Sequence, residues 1–143
     1  MNENKFTGKA GIYSKYRPSY PESFISYLFT TAGLNKESII ADVGSGTGIL
    51  TELLLKRGCL VYGVEPNKDM QSEAINKLSG YNSFIPVNAS AENTTLPDKT
   101  VDFITSAQAF HWFDTHKFRA ECNRIMRKWC GIKKVDSLFS RIP

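Results

Sequence analysis

The sequence has few of the residues that build cross-linked folds and metal centres. It contains three cysteines and two histidines in 143 residues, and none of the cysteines forms a CxxC pair. Disulfide-rich secreted domains carry an even and dense set of cysteines, and zinc ribbons carry CxxC pairs. We therefore expect Cys59, Cys122 and Cys130 to be buried thiols, and we predict no metal site.

Long apolar runs are also missing. No stretch approaches the roughly 18 apolar residues of a membrane helix, and the opening MNENKFTGK lacks the apolar segment of a secretory signal. The sequence therefore predicts a cytoplasmic protein that does not contact a membrane. Its 41% hydrophobic and 22% charged residues are typical of one globular domain.

Excess positive charge is confined to one end of the chain. Of 18 Lys+Arg and 14 Asp+Glu, residues 1–116 hold 10 and 12, which leaves 8 and 2 for residues 117–143. A basic end of this kind is found in nucleic-acid-binding tails. Here it coincides with the segment where the folding pattern described below is lost, so we predict no nucleic-acid partner.

Short apolar runs alternate with amphipathic helical patterns. Strands are predicted at 38–43, 59–64, 83–87 and 101–105, and helices from Pro21 to about Gly33, from Ile49 to Gly58, from Asn67 to Leu78, and from Asp114 or Thr115 through Met126 and Trp129. Pro86 cannot donate to a strand ladder, which places the third strand at a sheet edge. The alternation predicts an α/β fold with a doubly wound parallel sheet.

A glycine-rich turn follows the first predicted strand. Gly44, Gly46 and Gly48 stand at alternate positions, where the backbone can approach a ligand at the amino end of the next helix. The dinucleotide fingerprint G-x-G-x-x-G would need glycine where Ile49 stands, so a dinucleotide-binding oxidoreductase is the less favoured alternative. Glu65, at the end of the second strand, can accept hydrogen bonds from both hydroxyls of a ribose.

Four blocks in order carry a family resemblance: YSKYRPSYP at 13–21, DVGSGTG from Asp42, Glu65 followed by Pro66, and NASAENTTLPDKTVDFITSAQAFHWFD at 88–114. Together they resemble class I S-adenosylmethionine-dependent methyltransferases, in the small-molecule group called methyltransferase type 11. The resemblance spans about residues 8–126. It implies a Rossmann-like sheet, S-adenosylmethionine as the cofactor and a small-molecule methyl acceptor.

The resemblance also implies roles for individual residues. Cofactor-binding positions would be Tyr20 in a lid, Asp42 near the methionine amino group, Gly44, Gly46 and Gly48 under the methionine, Glu65 on the ribose, Pro66, Ala91 and Glu92 around the adenine, and Ala107 and Gln108 facing the sulfonium. His111 is the candidate catalytic base, because an imidazole titrates near neutral pH. A packed, structural histidine is the alternative for the same residue.

The family pattern stops after about residue 126. RKWCGIKKVDSLFSRIP has one glycine and scattered apolar residues where the family has a turn and a strongly apolar fifth strand. We therefore expect residues 1–143 to form one partial, truncated cofactor-binding domain, with a lid and helix at 8–35 and an atypical basic tail at 127–143. Its sheet would have four or five strands and be incomplete at its C-terminal side, leaving an exposed edge for self-association. The predicted function is methyl transfer to a small molecule, and the alternative is an inactive cofactor-binding remnant.

Overall fold

The computed structural model describes residues 20–106 and 113–128. In these residues helices and strands alternate from the first strand onward. The elements are α1 (Glu22–Thr30), β1 (Ile39–Val43), α2 (Ile49–Lys56), β2 (Leu60–Val64), α3 (Lys68–Leu78), β3 (Phe84–Val87), β4 (Phe103–Thr105) and α4 (Thr115–Ile125). None of these helices is both long and apolar enough to cross a membrane.

The four strands of the described residues form one parallel sheet in the order β3-β2-β1-β4. The chain first steps outward from β1 to β2 and β3, and it then crosses back to place β4 on the other side of β1. This reversal is the topology of a doubly wound sheet, whose ligands bind at the carboxyl ends of the strands beside the switch point. The α/β prediction is confirmed, and Pro86 lies in the edge strand as predicted.

Alternate residues of the central strands face two separate apolar clusters. Ile40 and Val61 pack on one face of the sheet, against buried side chains of α1 and α2. Ala41 and Val43 pack on the other face, together with buried side chains of α4. Helices therefore cover both faces, as expected for a parallel sheet, whose strands are buried on both sides.

Helix ends follow the signals in the sequence. Gly33 and Gly58 adopt positive φ angles of +91° and +94° just after α1 and α2, which is the conformation that glycine provides at helix ends. At the start of α3 the Asn67 side chain accepts a hydrogen bond from the Met70 amide at 3.0 Å. Asp114 caps α4 in the same way, accepting from the Lys117 amide at 3.1 Å.

The end of α4 differs from the prediction. Met126 was expected to continue the apolar stripe of the helix, but its backbone is extended, with φ −77° and ψ 136°, and it pairs in parallel with Val101. The Arg127 amide also donates to the Val101 carbonyl at 2.9 Å. Backbone pairing beside β4 therefore overrides the helical periodicity, and α4 ends at Ile125. Trp129 lies outside the described residues.

Candidate functional site

The loop between β1 and α2 has a backbone that requires its glycines. Gly44, Gly46 and Gly48 have φ angles of +71°, +60° and +87°, in the left-handed region that other residues rarely adopt. The Gly44 amide donates to the Val64 carbonyl at 2.8 Å. The loop is thereby fixed at the carboxyl ends of β1 and β2, at the edge of the sheet where ligands bind in this fold class.

Two of these glycines also allow α3 to pack closely beneath the loop. A Cβ atom on Gly48 would lie 2.9 Å from Leu78 Cδ1 and 3.3 Å from Ala74 Cβ. A Cβ on Gly46 would lie 3.2 Å from Met70 Cε. The sequence pattern assigned these glycines to a sharp turn and to the approach of a ligand, and the structure adds a packing role for Gly46 and Gly48.

Glu65 lies beside the loop with its carboxylate buried, and only 7% of the residue is exposed. Its Oε1 accepts a hydrogen bond from the Gly46 amide at 2.9 Å, and its Oε2 accepts one from the Asn67 amide at 2.8 Å. A carboxylate oxygen has two acceptor positions, and a ligand hydroxyl would bond to such a position. The predicted ribose residue therefore lies next to the glycine loop.

Asp42 joins three elements below the loop. Its Oδ2 accepts from the Thr51 hydroxyl of α2 at 2.6 Å, and its Oδ1 accepts from the Thr105 hydroxyl of β4 at 3.0 Å. The residue is 2% exposed, so these hydroxyls satisfy a carboxylate that burial would otherwise destabilise. Neither threonine was identified from the sequence. The signal that could have identified them is that a buried carboxylate such as Asp42 needs hydroxyl donors on the neighbouring elements.

Three polar side-chain atoms at or near this end of the sheet are buried and find no hydrogen-bond partner within residues 20–106 and 113–128. The hydroxyl oxygens of Thr47 and Ser106 and the side-chain nitrogen of Gln71 have no hydrogen bond within the part of the chain that the structure describes. Thr47 belongs to the glycine loop and Ser106 directly follows β4. Buried polar atoms are rarely left unpaired in proteins. A polar ligand at the carboxyl ends of the strands would supply partners, so the residues present fit a nucleoside cofactor.

The segment after β3 is held against Glu65 and Pro66. The Asn88 side-chain amide donates to the carbonyls of both residues, at 2.9 and 3.1 Å. Further along, Ala91 is buried in the apolar cluster under α4, and Glu92 Oε1 accepts from the Asp114 amide at 2.9 Å. The segment from Asn88 to Glu92 is therefore held at one end to Glu65 and Pro66 and at the other end to the start of α4. We call it the anchored segment, and Ala91 and Glu92 lie within it. Asn88 was not identified from the sequence.

A buried carboxylate connects the same segment to the far end of α4. Glu121 Oε2 accepts from both the amide and the hydroxyl of Thr94 at 2.7 Å, and Arg124 donates to both Glu121 oxygens. Burial acts to raise the pKa of Glu121, but the hydrogen bonds from Arg124 and Thr94 outweigh it, and the pKa lies below its ordinary value. The carboxylate is therefore charged at neutral pH.

The remaining predicted residues lie at or beyond the limits of the described chain. Tyr20 is half-buried, and its ring packs against Phe24 with the centroids 5.7 Å apart. Ala107, Gln108 and His111 fall outside the described residues. Their assignments to the sulfonium and to base catalysis therefore stay predictions.

Comparison with known proteins identifies the family. A family model described as a methyltransferase domain matches residues 41–129, which are 89 of the 143 residues. The chain belongs to this methyltransferase family. The matched region begins within β1 and ends just after α4, so it contains the glycine loop, Glu65 and the anchored segment after β3.

The curated methyltransferases that this chain matches are longer than the chain. An uncharacterized methyltransferase from Mycobacterium tuberculosis is 34% identical over 122 residues, which cover 85% of this chain and 47% of that protein. One from Geobacillus sp. strain WCH70 is 36% identical over 129 residues, which cover 87% and 60%. The chain thus spans about half the length of the curated relatives it matches.

The methyltransferase domain is also similar to solved structures. A SAM-dependent methyltransferase from Aquifex aeolicus superimposes with a TM-score of 0.72 at 25% identity, covering 83% of this chain and 68% of that one. This agreement supports the Rossmann-like arrangement of strands and helices described above.

Proposed function

We propose that this methyltransferase domain binds S-adenosylmethionine at the carboxyl ends of β1, β2 and β4, and that the protein transfers its methyl group to a small-molecule acceptor. The observation that carries the proposal is the buried Glu65 carboxylate bonded to the Gly46 amide of the glycine loop. The similarity to a SAM-dependent methyltransferase of Aquifex aeolicus supports the choice of cofactor.

Different residues of the site would bind different parts of the cofactor. Glu65 would accept hydrogen bonds from the ribose hydroxyls, and the loop from Gly44 to Gly48 would lie under the methionine. Pro66, Ala91 and Glu92 would surround the adenine. Tyr20, Ala107 and Gln108 would complete the site on the lid and sulfonium sides, and Asp42 would act on the amino group or hold the loop from below.

When bound, S-adenosylmethionine supplies a methyl group that a positively charged sulfur has already activated. The protein therefore has to align an acceptor and exclude water more than to perform acid–base chemistry. Loop amides and the buried hydroxyls of Thr47 and Ser106 would supply hydrogen-bonding groups that orient the cofactor. For an acceptor that loses a proton, His111 is the residue we propose as base.

Calorimetric titration tests the binding step. We expect S-adenosylmethionine and S-adenosylhomocysteine to bind and NAD not to bind. A Glu65→Ala variant should weaken binding by about tenfold or more, because it removes charge-assisted hydrogen bonds to the ribose. Glu37→Ala is the matched control, since Glu37 is an exposed acid before the amino end of β1. Binding of NAD in place of S-adenosylmethionine would contradict the proposal and favour an oxidoreductase.

Turnover is tested separately, with labelled S-adenosylmethionine and a panel of small amine, hydroxyl, thiol and carboxyl acceptors. We expect methylation of at least one acceptor class, and reduced turnover with unchanged cofactor binding in His111→Ala. Unchanged turnover in that variant would remove His111 as the base. Tight cofactor binding without turnover on any acceptor would favour the cofactor-binding remnant instead.

A further inference from the structure

Four residues around the glycine loop form a closed set of contacts. Glu65 accepts from the amides of Gly46 and Asn67, at 2.9 and 2.8 Å. The Asn67 side chain accepts from the Met70 amide at 3.0 Å, and Met70 Cε lies 3.2 Å from the position of a Cβ on Gly46. The contacts therefore run from the loop, through Glu65 and Asn67, into the first turn of α3 and back to the loop.

In this arrangement Glu65 has a structural role that does not depend on a ligand. A carboxylate used only for ribose hydroxyls would be left without donors whenever the cofactor is absent, which is costly for a residue that is 7% exposed. Here two backbone amides satisfy it instead, one on each of the two segments that flank the site. These charge-assisted bonds stabilise the positions of both segments in the cofactor-free protein.

We propose that Glu65 is a positioning residue that holds the glycine loop and the start of α3 in their binding arrangement before the cofactor arrives. This role rests on the proposed function only because that function makes the glycine loop a cofactor site. If every protein molecule already holds the loop in its binding arrangement, no affinity is lost in ordering the loop. If only a fraction of the molecules does so, the apparent affinity for the cofactor falls in proportion to that fraction. Substituting Glu65 would therefore weaken binding in two ways, by loss of a ligand contact and by loss of loop order.

Amide hydrogen exchange in the cofactor-free protein tests the second effect alone. Glu65→Gln keeps the length of the side chain but replaces one acceptor oxygen with a donor. We expect exchange at the Gly46 amide, the Asn67 amide or both to become about tenfold faster or more, as expected for loss of a hydrogen bond to a charged group. The ladder amides of β1 should keep their exchange rates, which would show that the loosening is local.

Glu37→Gln provides the matched control, because it makes the same change of charge at an exposed position. It should leave exchange at Gly46 and Asn67 unchanged. If Glu65→Gln also leaves both amides unchanged while it weakens binding of S-adenosylhomocysteine, Glu65 is a ligand contact only and the inference is overturned. That result would leave the proposed function intact.

The wild-type protein supplies a second test that needs no variant. Without cofactor, the amides of Gly46 and Asn67 should both be protected from exchange, since one carboxylate holds both. Exchange at the rate of an unstructured peptide at both positions would overturn the inference even if Glu65→Gln does not fold. Protection at both, with or without measurable affinity for S-adenosylmethionine, would support it.

Discussion

At the scale of single residues, Gly48 is constrained both by the backbone of the glycine loop and by the helix that packs beneath it. Its φ of +87° already disfavours any side chain, and a Cβ would meet Leu78 at 2.9 Å. We expect Gly48→Ala to lower the free energy of unfolding by about 2–4 kcal/mol, as the sum of left-handed backbone strain and overpacking. Urea denaturation of the cofactor-free protein measures this value.

Gly80 is the matched control for that substitution. A Cβ on Gly80 would have nothing within 4 Å, so Gly80→Ala should change the free energy of unfolding by less than about 0.5 kcal/mol. Equal effects of the two substitutions would show that neither close packing nor the positive φ angle at Gly48 matters for stability.

The two cysteines in the described residues should be chemically inert in the folded protein. Burial raises the pKa of the Cys59 thiol, opposed by the nearby charge of Arg57. Burial and the adjacent Glu121 carboxylate raise the pKa of Cys122 to about 12. Because the thiolate is the reactive form, both residues should resist alkylation well above neutral pH.

Peptide mass spectrometry after brief treatment with iodoacetamide checks this expectation. Cys59 and Cys122 should be unlabelled in native protein and fully labelled in urea. Labelling of Cys122 at the same rate in both conditions would mean that α4 does not hold it in the apolar cluster.

Residue types alone indicated part of the site and not the rest. Glu65 and the glycines could be predicted, because a local pattern of a strand followed by a turn carries them. Thr105, which lies 63 residues from its partner Asp42, could not be identified, since only the pairing of β1 with β4 brings the two together. The hydrogen bond from the Gly46 amide to Glu65 could not be predicted from the sequence either, because it depends on the direction of that amide in the folded loop.

At the scale of elements, α4 is fastened to the segment after β3 at both of its ends. Glu92 accepts from the Asp114 amide at the start of the helix, and Glu121 accepts from Thr94 near its end. Backbone amides of Lys99 and Thr100 also donate to the carbonyls of Arg124 and Ile125. The helix and the preceding loop should therefore unfold as one cooperative unit.

The Glu121 carboxylate predicts how this unit responds to acid. Its pKa in the folded protein lies below the ordinary value of 4.5, so its stabilising contribution is present above that pH and is lost as the pH falls through the lowered pKa. We expect Glu121→Gln to lower the free energy of unfolding by about 1–3 kcal/mol near neutral pH, through loss of a buried charged hydrogen-bond acceptor.

Urea denaturation from neutral pH to about pH 3 measures the acid response. The difference between wild type and Glu121→Gln should shrink as the pH falls, because protonation removes the same charge from the wild type. Glu37→Gln serves as a control, because it makes the same substitution at an exposed carboxylate before β1. A difference that stays constant over the whole pH range would contradict the role of the charged form.

Element types were easier to predict than their ends. Asn67 and Gly58 carry local capping signals, and the helices begin and end where those signals indicate. The end of α4 carries no such signal. Its apolar spacing continues through Met126, but the pairing of Met126 with Val101 sets the boundary, and Val101 lies 25 residues earlier in the chain, just before β4 (126 − 101).

At the scale of the whole molecule, the order of strands in the sheet differs from their order in the chain. In the described residues, β1 is paired on both sides, with β2 and β4, and β3 lies at one edge. On the side of β4 that faces away from β1, the described residues form one pairing, the isolated bridge between Val101, just before β4, and Met126. Self-association through this edge stays a prediction, which sedimentation of the purified protein can test.

The position of β4 beside β1 has a consequence for the order of events during folding. Ile39 pairs with Leu60, 21 residues away (60 − 39), whereas Ile40 pairs with Phe103, 63 residues away (103 − 40). Closing the longer loop costs about 1 kcal/mol more chain entropy. We expect β1, β2 and β3 to assemble first and β4 to join them last, together with α4.

Pulse labelling of amides during refolding from urea makes this sequence visible. The ladder amides between β1 and β2 should become protected before the Asp102 amide, which donates to the Ile39 carbonyl at 2.8 Å. Simultaneous protection would mean a single concerted event. With β4 arriving last, the half of the molecule that carries the glycine loop and Glu65 would already be assembled while the other wall of the crevice is still being added.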